Sequence, residues 1–158
     1  MTEIRVLTIR QPYAWAVIFG GKDVENRSRN IAGDYRGPVA ISAGQRMFPH
    51  WDQDLTLMAT FWRHSPEDVT KTEEWYRSTF LRGVIIGVAD LVDVHWAVNE
   101  GVVEAWPICS RWADGPGEPC FHLVFANPRP LSEPVPFRGG QGLRRLDPAT
   151  IPGLEAIL

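Results

Sequence analysis

Cysteine is scarce in this sequence, with only Cys109 and Cys120 among 158 residues. Two cysteines cannot supply the disulfide framework of a small secreted domain, so a reducing, cytoplasmic setting is expected. The longest apolar run, around residues 14–19, is much shorter than the ~20 residues that cross a bilayer. A secretory signal pattern is also lacking. The sequence therefore predicts neither a disulfide-stabilised fold nor a membrane partner.

The chain also lacks an excess of positive charge, since its net charge is -3. The charge is nevertheless unevenly spread: seven basic and four acidic residues in 1–46, four and ten in 47–104, and five of each in 105–158. A polyanion would therefore bind at the two ends of the chain and not at its middle. Chance unevenness on a solvated surface is the alternative interpretation.

The pattern of apolar residues predicts strands more often than helices. Residues 1–158 are expected to form one domain with a real core, because 44% of them are hydrophobic. A helix is expected to start at Pro12 and to stop at Gly20–Gly21. Strands are expected at residues 3–9, 37–44, 83–96 and 120–126, with a bulge or bend at Gly87. Because strands and helices do not alternate, the class predicted is α+β, a mostly antiparallel barrel or sheet with peripheral helices.

The sequence predicts a distinct local structure for each of four other segments. The acidic segment 47–82 is interpreted as a helical insertion, with a helix start at Ser65–Asp68. Residues 127–137 are rich in proline and predict an extended connection. Residues 137–145 predict a basic, glycine-rich loop, and "DPATIPGLEAIL" predicts a short closing helix capped by Asp147.

The stretch "KDVENR" concentrates opposed charges directly after the first helix. In an extended chain alternate side chains share a face, so Glu25 and Arg27 become neighbours, and Lys22 stands at the junction close by. One interpretation is a solvated ion-pair network of little consequence. The other is a pocket floor in which Arg27 holds Glu25, and Glu25 accepts hydrogen bonds from an amino group of a base. A desolvated Lys22 could then act as a base or nucleophile.

Two stretches, "LTIRQPYAWAVIFGGKDVENRSRN" and "YRGPVAISAG", resemble the opening of the ASCH domain family, a branch of the PUA-like superfamily. The signature of that family is a helix followed by Gly-x-Lys-x-x-Glu-x-Arg, and Gly20/Gly21, Lys22, Glu25 and Arg27 match it. The resemblance continues through "GVIIGVADLVDV" and "SRWADGPGEPCFHLVFANPRPL" to "FRGGQGL". It covers almost the whole chain apart from the insertion at 47–82.

The resemblance implies a PUA-like pseudo-β-barrel with a cleft that holds the signature residues and takes RNA or a modified nucleoside. Some proteins that resemble this one are small amidohydrolases acting on N4-acetylated cytidine, and others have been linked to RNA cleavage. In the amidohydrolases the signature lysine works with a threonine three residues on, and Glu25 occupies that position here. Binding is therefore the first hypothesis. A hydrolase with Lys22 as base and Glu25 as proton shuttle is the alternative, and Glu100 and Glu104 are the nearest candidates for its further glutamate.

Several other side chains are candidates for the same cleft. Trp112 is expected to be an exposed ring that stacks on a base, whereas Trp15 is expected to pack in the core. The loop "FRGGQGLRR" could follow a phosphate backbone with its amides and with Arg138, Arg144 and Arg145, or form a simple tight turn. The ligand-binding residues predicted are Arg27, Gln11, Tyr13, Ser42, Trp112 and Arg138.

Two further hypotheses concern metal ions and protein partners. Cys109, Cys120, His95 and His122 could hold zinc, but no Cys-x-x-Cys pair is present, so buried thiols are favoured and no metal or cofactor is expected. A protein partner bound by the acidic segment 47–82 is a third function class. In that case, deletion of the segment should abolish activity while Glu25→Ala should not.

Overall fold

The computed structural model describes residues 3–64, 73–97, 109–113 and 120–158. The strands are β1 (Ile4–Gln11), β2 (Val24–Arg27), β3 (Gly37–Met47), β4 (Val84–Trp96), β5 (Phe121–Pro136) and β6 (Leu143–Leu146). The helices are α1 (Tyr13–Phe19), α2 (Leu55–His64) and α3 (Glu73–Thr79). Short 3-10 turns occupy Trp51–Gln53, Pro148–Thr150 and Glu155–Ile157.

The strands form one mixed sheet in the order β2-β5-β4-β3-β1-β6. The β1–β3 pair is parallel and the other four pairs are antiparallel. Within the described residues the sheet is not closed, because β2 and β6 are its two edges. The predicted α+β class, with a mostly antiparallel sheet and peripheral helices, is confirmed.

Both faces of the sheet are covered. Alternation along β1 sends Leu7 and Ile9 to the face where α1 packs, and Ile4 and Val6 to the opposite face. The second face is closed by the C-terminal turns, whose Leu154 is fully buried. None of the helices that the structure describes is long and apolar enough to span a bilayer.

The helical insertion is confirmed and packs on α1 through aromatic rings. Ring centroids of Trp15 and Phe61 lie 5.0 Å apart, and those of Phe61 and Phe80 lie 5.2 Å apart. Trp15 therefore packs as predicted. The sequence indicated α3 through Trp75 but did not separate α2 from the rest of the insertion. The predicted helix start at Ser65–Asp68 lies outside the described residues.

The C-terminal half differs from the prediction in three places. Residues 127–136 are not a connection but the second half of β5, where β2 no longer pairs and prolines are tolerated on the open side. Residues 143–146, predicted as loop, form β6 against β1. The closing helix is replaced by two 3-10 turns, although Asp147 does cap the first, accepting a hydrogen bond from the Ala149 amide at 3.0 Å.

The bulge predicted at Gly87 is confirmed. Pairing of β4 with both neighbours shifts register between Ile85 and Gly87. A Cβ atom at Gly87 would stand 2.5 Å from the carbonyl oxygen of Arg129, so the approach of β5 requires glycine there.

Candidate functional site

A cavity of about 840 Å³ opens where β1, α1, β2 and the start of the insertion meet. Residues 111–113 of the short segment 109–113 form one wall, and residues 140–142 of the glycine-rich loop form another. Lys22, Glu25 and Arg27 all line it. The signature residues therefore face a pocket and are not a solvated turn.

The three signature side chains form a continuous charge network. Arg27 Nη2 lies 3.0 Å from Glu25 Oε1, and Lys22 Nζ lies 3.4 Å from Glu25 Oε2. Only 4% of the Lys22 side chain is exposed, and its ammonium group also donates to the carbonyl of Val24. The neighbour relation of Glu25 and Arg27 that alternation predicted is confirmed.

Arg27 links this network to the sheet and to the cavity. Its Nη2 donates to the carbonyl of Thr8 at 3.2 Å. Its Nε is buried and has no hydrogen-bond partner among the described residues. Buried donors are rarely left without an acceptor.

Tyr13 and the insertion build an aromatic wall. The Tyr13 hydroxyl donates to Asp54 Oδ2 at 2.6 Å, and its ring meets that of Phe48 edge-on at 5.1 Å. Asp54 also caps α2, because its Oδ1 accepts from the Leu57 amide at 2.9 Å. The start of the insertion is therefore part of the pocket.

Trp112 lines the cavity but is not the exposed ring that the sequence predicted. It is 6% exposed and packs beside Phe61 and Val24, with Lys22 Nζ 5.6 Å from its ring centroid. Asn26 Nδ2 donates to its carbonyl at 3.0 Å. The interpretation as an exposed loop was wrong because it could not foresee that the insertion would cover this segment.

Gln11 and Ser42 do not line the cavity, contrary to the prediction. Gln11 is buried, donates from Nε2 to the Leu81 carbonyl at 2.8 Å, and accepts from the Trp15 amide at 2.9 Å. Its amide thus secures α1 and the end of the insertion. Ser42 is fully buried inside β3. The prediction rests on their places at the helix start and at a strand end near the signature, and neither place fixes the direction of a side chain.

Arg138 lines a second, adjoining depression of about 790 Å³. Thr8, Arg10, Gly140 and Gln141 belong to both cavities, so the two share a wall. The Gly140 amide donates to Thr8 Oγ1 at 3.1 Å, which holds the glycine-rich loop against β1. Neither Arg144 nor Arg145 lines either cavity.

The cavity has cations that the sequence reasoning did not single out: Arg10, Arg29 and Arg111. Alternation beyond Arg27 indicates Arg29 on the same side, and the basic excess of residues 1–46 includes both Arg29 and Arg10. Arg111 could not be found in this way, since the approach of segment 109–113 is a tertiary contact. With Lys22 and Arg27, five basic residues face two acidic ones, Glu25 and Asp54, among the residues that the structure describes.

A second polar cluster joins His95, Cys109 and His122, whose ligand atoms lie within 4.8 Å of one another. The expectation of buried thiols holds for Cys120, but Cys109 is exposed. Desolvation raises the pKa of the Cys109 thiol, and the carboxylates of Asp23 and Asp93 raise it further. That is the opposite of what an activated cysteine nucleophile requires.

The open mixed sheet, the packing of α1 on it and the helical insertion together define an α+β fold that is similar to the fold of solved ASCH structures. The chain is similar to a point variant of the ASCH protein from Zymomonas mobilis, with 16% identity, TM-score 0.52, and coverage of 92% of this chain and 91% of that one. A second structure of that protein matches at 14% identity with a TM-score of 0.46, and covers 91% of this chain and 87% of that one. A third, also a point variant, matches at 16% identity with a TM-score of 0.48, and covers 91% of this chain and 88% of that one. The fold assignment rests on the first. No protein-family model and no curated protein sequence matches the chain.

Proposed function

We propose that this protein binds RNA, or a modified nucleoside derived from it, in the cavity around Lys22, Glu25 and Arg27. The observation that carries the proposal is the lining that the structure describes: five basic side chains and three aromatic ones, Tyr13, Phe48 and Trp112, in a chain whose net charge is -3. Positive charge beside rings suits a phosphate and a base together.

Each part of the lining has a role in this proposal. Glu25, held between two cations, accepts hydrogen bonds from an exocyclic amino group of the base. Arg27 donates to a base or phosphate oxygen, and the Tyr13–Phe48 wall contacts the ring. The adjoining depression, with Arg138 and the amides of the glycine-rich loop, accommodates the neighbouring phosphates. A two-part cleft favours a strand over a free nucleoside.

The test is fluorescence anisotropy with short single-stranded RNAs of increasing length. Arg27→Ala should weaken binding by about tenfold or more, since such contacts contribute roughly 1–3 kcal/mol. The affinity should fall with salt and rise with length until both depressions are filled. Arg77→Ala is the matched control, because Arg77 is an exposed arginine on α3 outside both cavities. Equal affinities for the parent, Arg27→Ala and Lys22→Ala would refute the proposal.

A hydrolase is the second candidate, since Lys22 and Glu25 lie 3.4 Å apart at the cavity wall. In this case Lys22, as a neutral amine, would take a proton from the attacking water, and Glu25 would carry that proton from Lys22 to the leaving group. Incubation with N4-acetylcytidine and with short RNAs, followed by chromatography, tests it. Product that disappears in Lys22→Ala supports the enzyme, and binding without product supports the binding module alone.

A further inference from the structure

His95 and His122 are placed side by side by the sheet itself. They are direct cross-strand partners of β4 and β5, so both side chains lie on one face, and their ring centroids are 5.2 Å apart. His122 is also paired with Asn26 of β2, so it shares a face with Asn26 and not with Glu25 or Arg27. The cluster is therefore separate from the charge network of the cavity.

Cys109 reaches this pair because its short segment is anchored at two points. The Ser110 hydroxyl donates to Asp23, and Asn26 donates to the carbonyl of Trp112. Segment 109–113 thus begins at the histidine pair and brings Trp112 to the cavity. Anything that binds Cys109 would also restrain that cavity wall.

The two distances from His122 are close to those between ligands of one tetrahedral metal ion, and all three ligand atoms lie within 4.8 Å of one another. His122 Nδ1 lies 3.3 Å from Cys109 Sγ and 3.3 Å from His95 Nε2. Zinc–nitrogen and zinc–sulfur bonds of ordinary length place two nitrogen ligands about 3.3 Å apart and nitrogen and sulfur about 3.6 Å apart. The two histidines are held by the strands, so only the Cys109 side chain has to adjust for all three atoms to reach one ion.

A single hydrogen bond joins only two of these three atoms. A ring nitrogen has one direction in its plane, in which it either donates or accepts once. His122 Nδ1 faces the sulfur and the second imidazole at the same distance, so it cannot serve both well. A shared cation would serve all three atoms.

His95 is oriented as a metal-binding histidine usually is. Its Nδ1 lies 2.7 Å from Asp93 Oδ2. With the proton on Nδ1, directed at the carboxylate, Nε2 presents its lone pair to the other two ligands. A carboxylate behind a ligating imidazole is a recurrent support of zinc sites.

We propose that His95, Cys109 and His122 bind one zinc ion, with Asp93 orienting His95. Two imidazoles and one thiolate are ligands that zinc accepts in tetrahedral sites, and a fourth position is left for water or another donor. The ion ties β4, β5 and segment 109–113 together. Its role is to hold Trp112 in the cavity wall, whatever ligand the cavity takes.

Metal content of the full chain tests the site without any RNA. The protein is stripped with a chelator, titrated with zinc, and measured by mass spectrometry and thermal unfolding. One equivalent of zinc should bind and raise the melting temperature. Cobalt(II) bound in place of zinc should give the intense visible absorption bands of a tetrahedral site and a thiolate-to-metal charge-transfer band. Cys109→Ser should remove the charge-transfer band, and His95→Ala should weaken zinc binding at least tenfold.

Two controls keep the result interpretable. Cys120→Ser removes the other thiol and should leave zinc binding unchanged, as should His50→Ala, since His50 is exposed and outside the cluster. Cys109 and His95 are themselves partly or fully exposed, so their variants keep the fold. Failure of the stripped chain to take up zinc would overturn the proposal. So would uptake that survives both Cys109→Ser and His95→Ala, or uptake of copper alone.

Discussion

At the scale of single residues, Glu25 is the side chain on which the charge network of Lys22 and Arg27 depends. It is the counter-charge for a nearly buried lysine and for an arginine that is 29% exposed. The carboxylate therefore holds both cations in the geometry that faces the cavity. Removal of one member of a buried charge group leaves the others unpaired, and this costs more than an exposed pair contributes.

Glu25→Gln should lower the free energy of unfolding by about 1–3 kcal/mol, because the Lys22 ammonium keeps its desolvation without its carboxylate. Urea unfolding at neutral pH measures this. Glu73→Gln is the matched control: Glu73 pairs with Arg77 on the exposed surface of α3, and the change should cost less than about 0.5 kcal/mol. Equal effects of the two changes would show that the Lys22–Glu25–Arg27 network is not a buried charge group.

Strand β4 is the element on which the sheet depends, since it pairs with β3 on one side and β5 on the other. Its bulge at Gly87 lets β5 come within van der Waals contact of the backbone. The same bulge bends the strand, so that residues beyond it, including His95, follow a different register with β5.

Gly87→Ala should destabilise the protein by about 1–3 kcal/mol, because the new methyl group would overlap the Arg129 carbonyl and the Pro130 Cα. Thermal and urea unfolding measure the loss. Gly44→Ala in β3 is the comparison, since a Cβ there meets nothing closer than a Thr8 methyl at 3.4 Å. If Gly87→Ala is no worse than Gly44→Ala, β5 does not approach β4 as closely as described.

The insertion both lines the cavity and presents an exposed surface, and the sequence could not separate these two roles. Phe48 and Asp54 line the cavity, while Trp62 on α2 is half exposed. Deletion of residues 47–82 would therefore damage the cavity as well as any partner surface. The hypothesis of a protein partner stays a prediction, and changes confined to the exposed side of α2, such as Trp62→Ala, are needed to test it.

At the scale of the whole molecule, one ion pair joins the central strands to the C-terminal turns. Arg129 donates to both carboxylate oxygens of Asp90, at 3.0 and 2.6 Å, and its Nε donates to the Ile157 carbonyl at 2.6 Å. Hydrogen bonds from Arg129 lower the pKa of Asp90, and Asp90 raises the pKa of Arg129. Both pKa shifts indicate that the Asp90–Arg129 ion pair stabilises the folded state.

Asp90→Asn should reduce stability at neutral pH by about 1–2 kcal/mol. Because the folded-state pKa of Asp90 lies below its unfolded value, this contribution is present above about pH 4 and is lost as pH falls through the folded-state pKa. The difference between variant and parent should therefore shrink in acid. Unfolding curves between about pH 7 and pH 2 measure it, with Asp34→Asn, at an exposed position, as control. A difference that stays constant with pH would contradict this linkage.

What the sequence by itself determined is local. The alternation of "VENR" places Glu25 beside Arg27, and Asp147 caps its turn, because each depends only on residues a few positions apart. The bulge at Gly87 could be predicted because a glycine inside a strand pattern usually marks one. The class of fold followed from the order of such elements and from the resemblance in the signature region.

Only the tertiary structure decided which distant residues meet. Four features depend on strand register and on where the insertion packs. Trp112 is buried, and the Gln11 side chain bonds to α1 instead of lining the cavity. Arg10 and Arg111 enter the cavity, and Cys109 meets two histidines. Residues 127–136 became a strand because β4 offered a free edge. Such contacts follow from long-range pairing, whose geometry is not encoded in any short stretch of the chain.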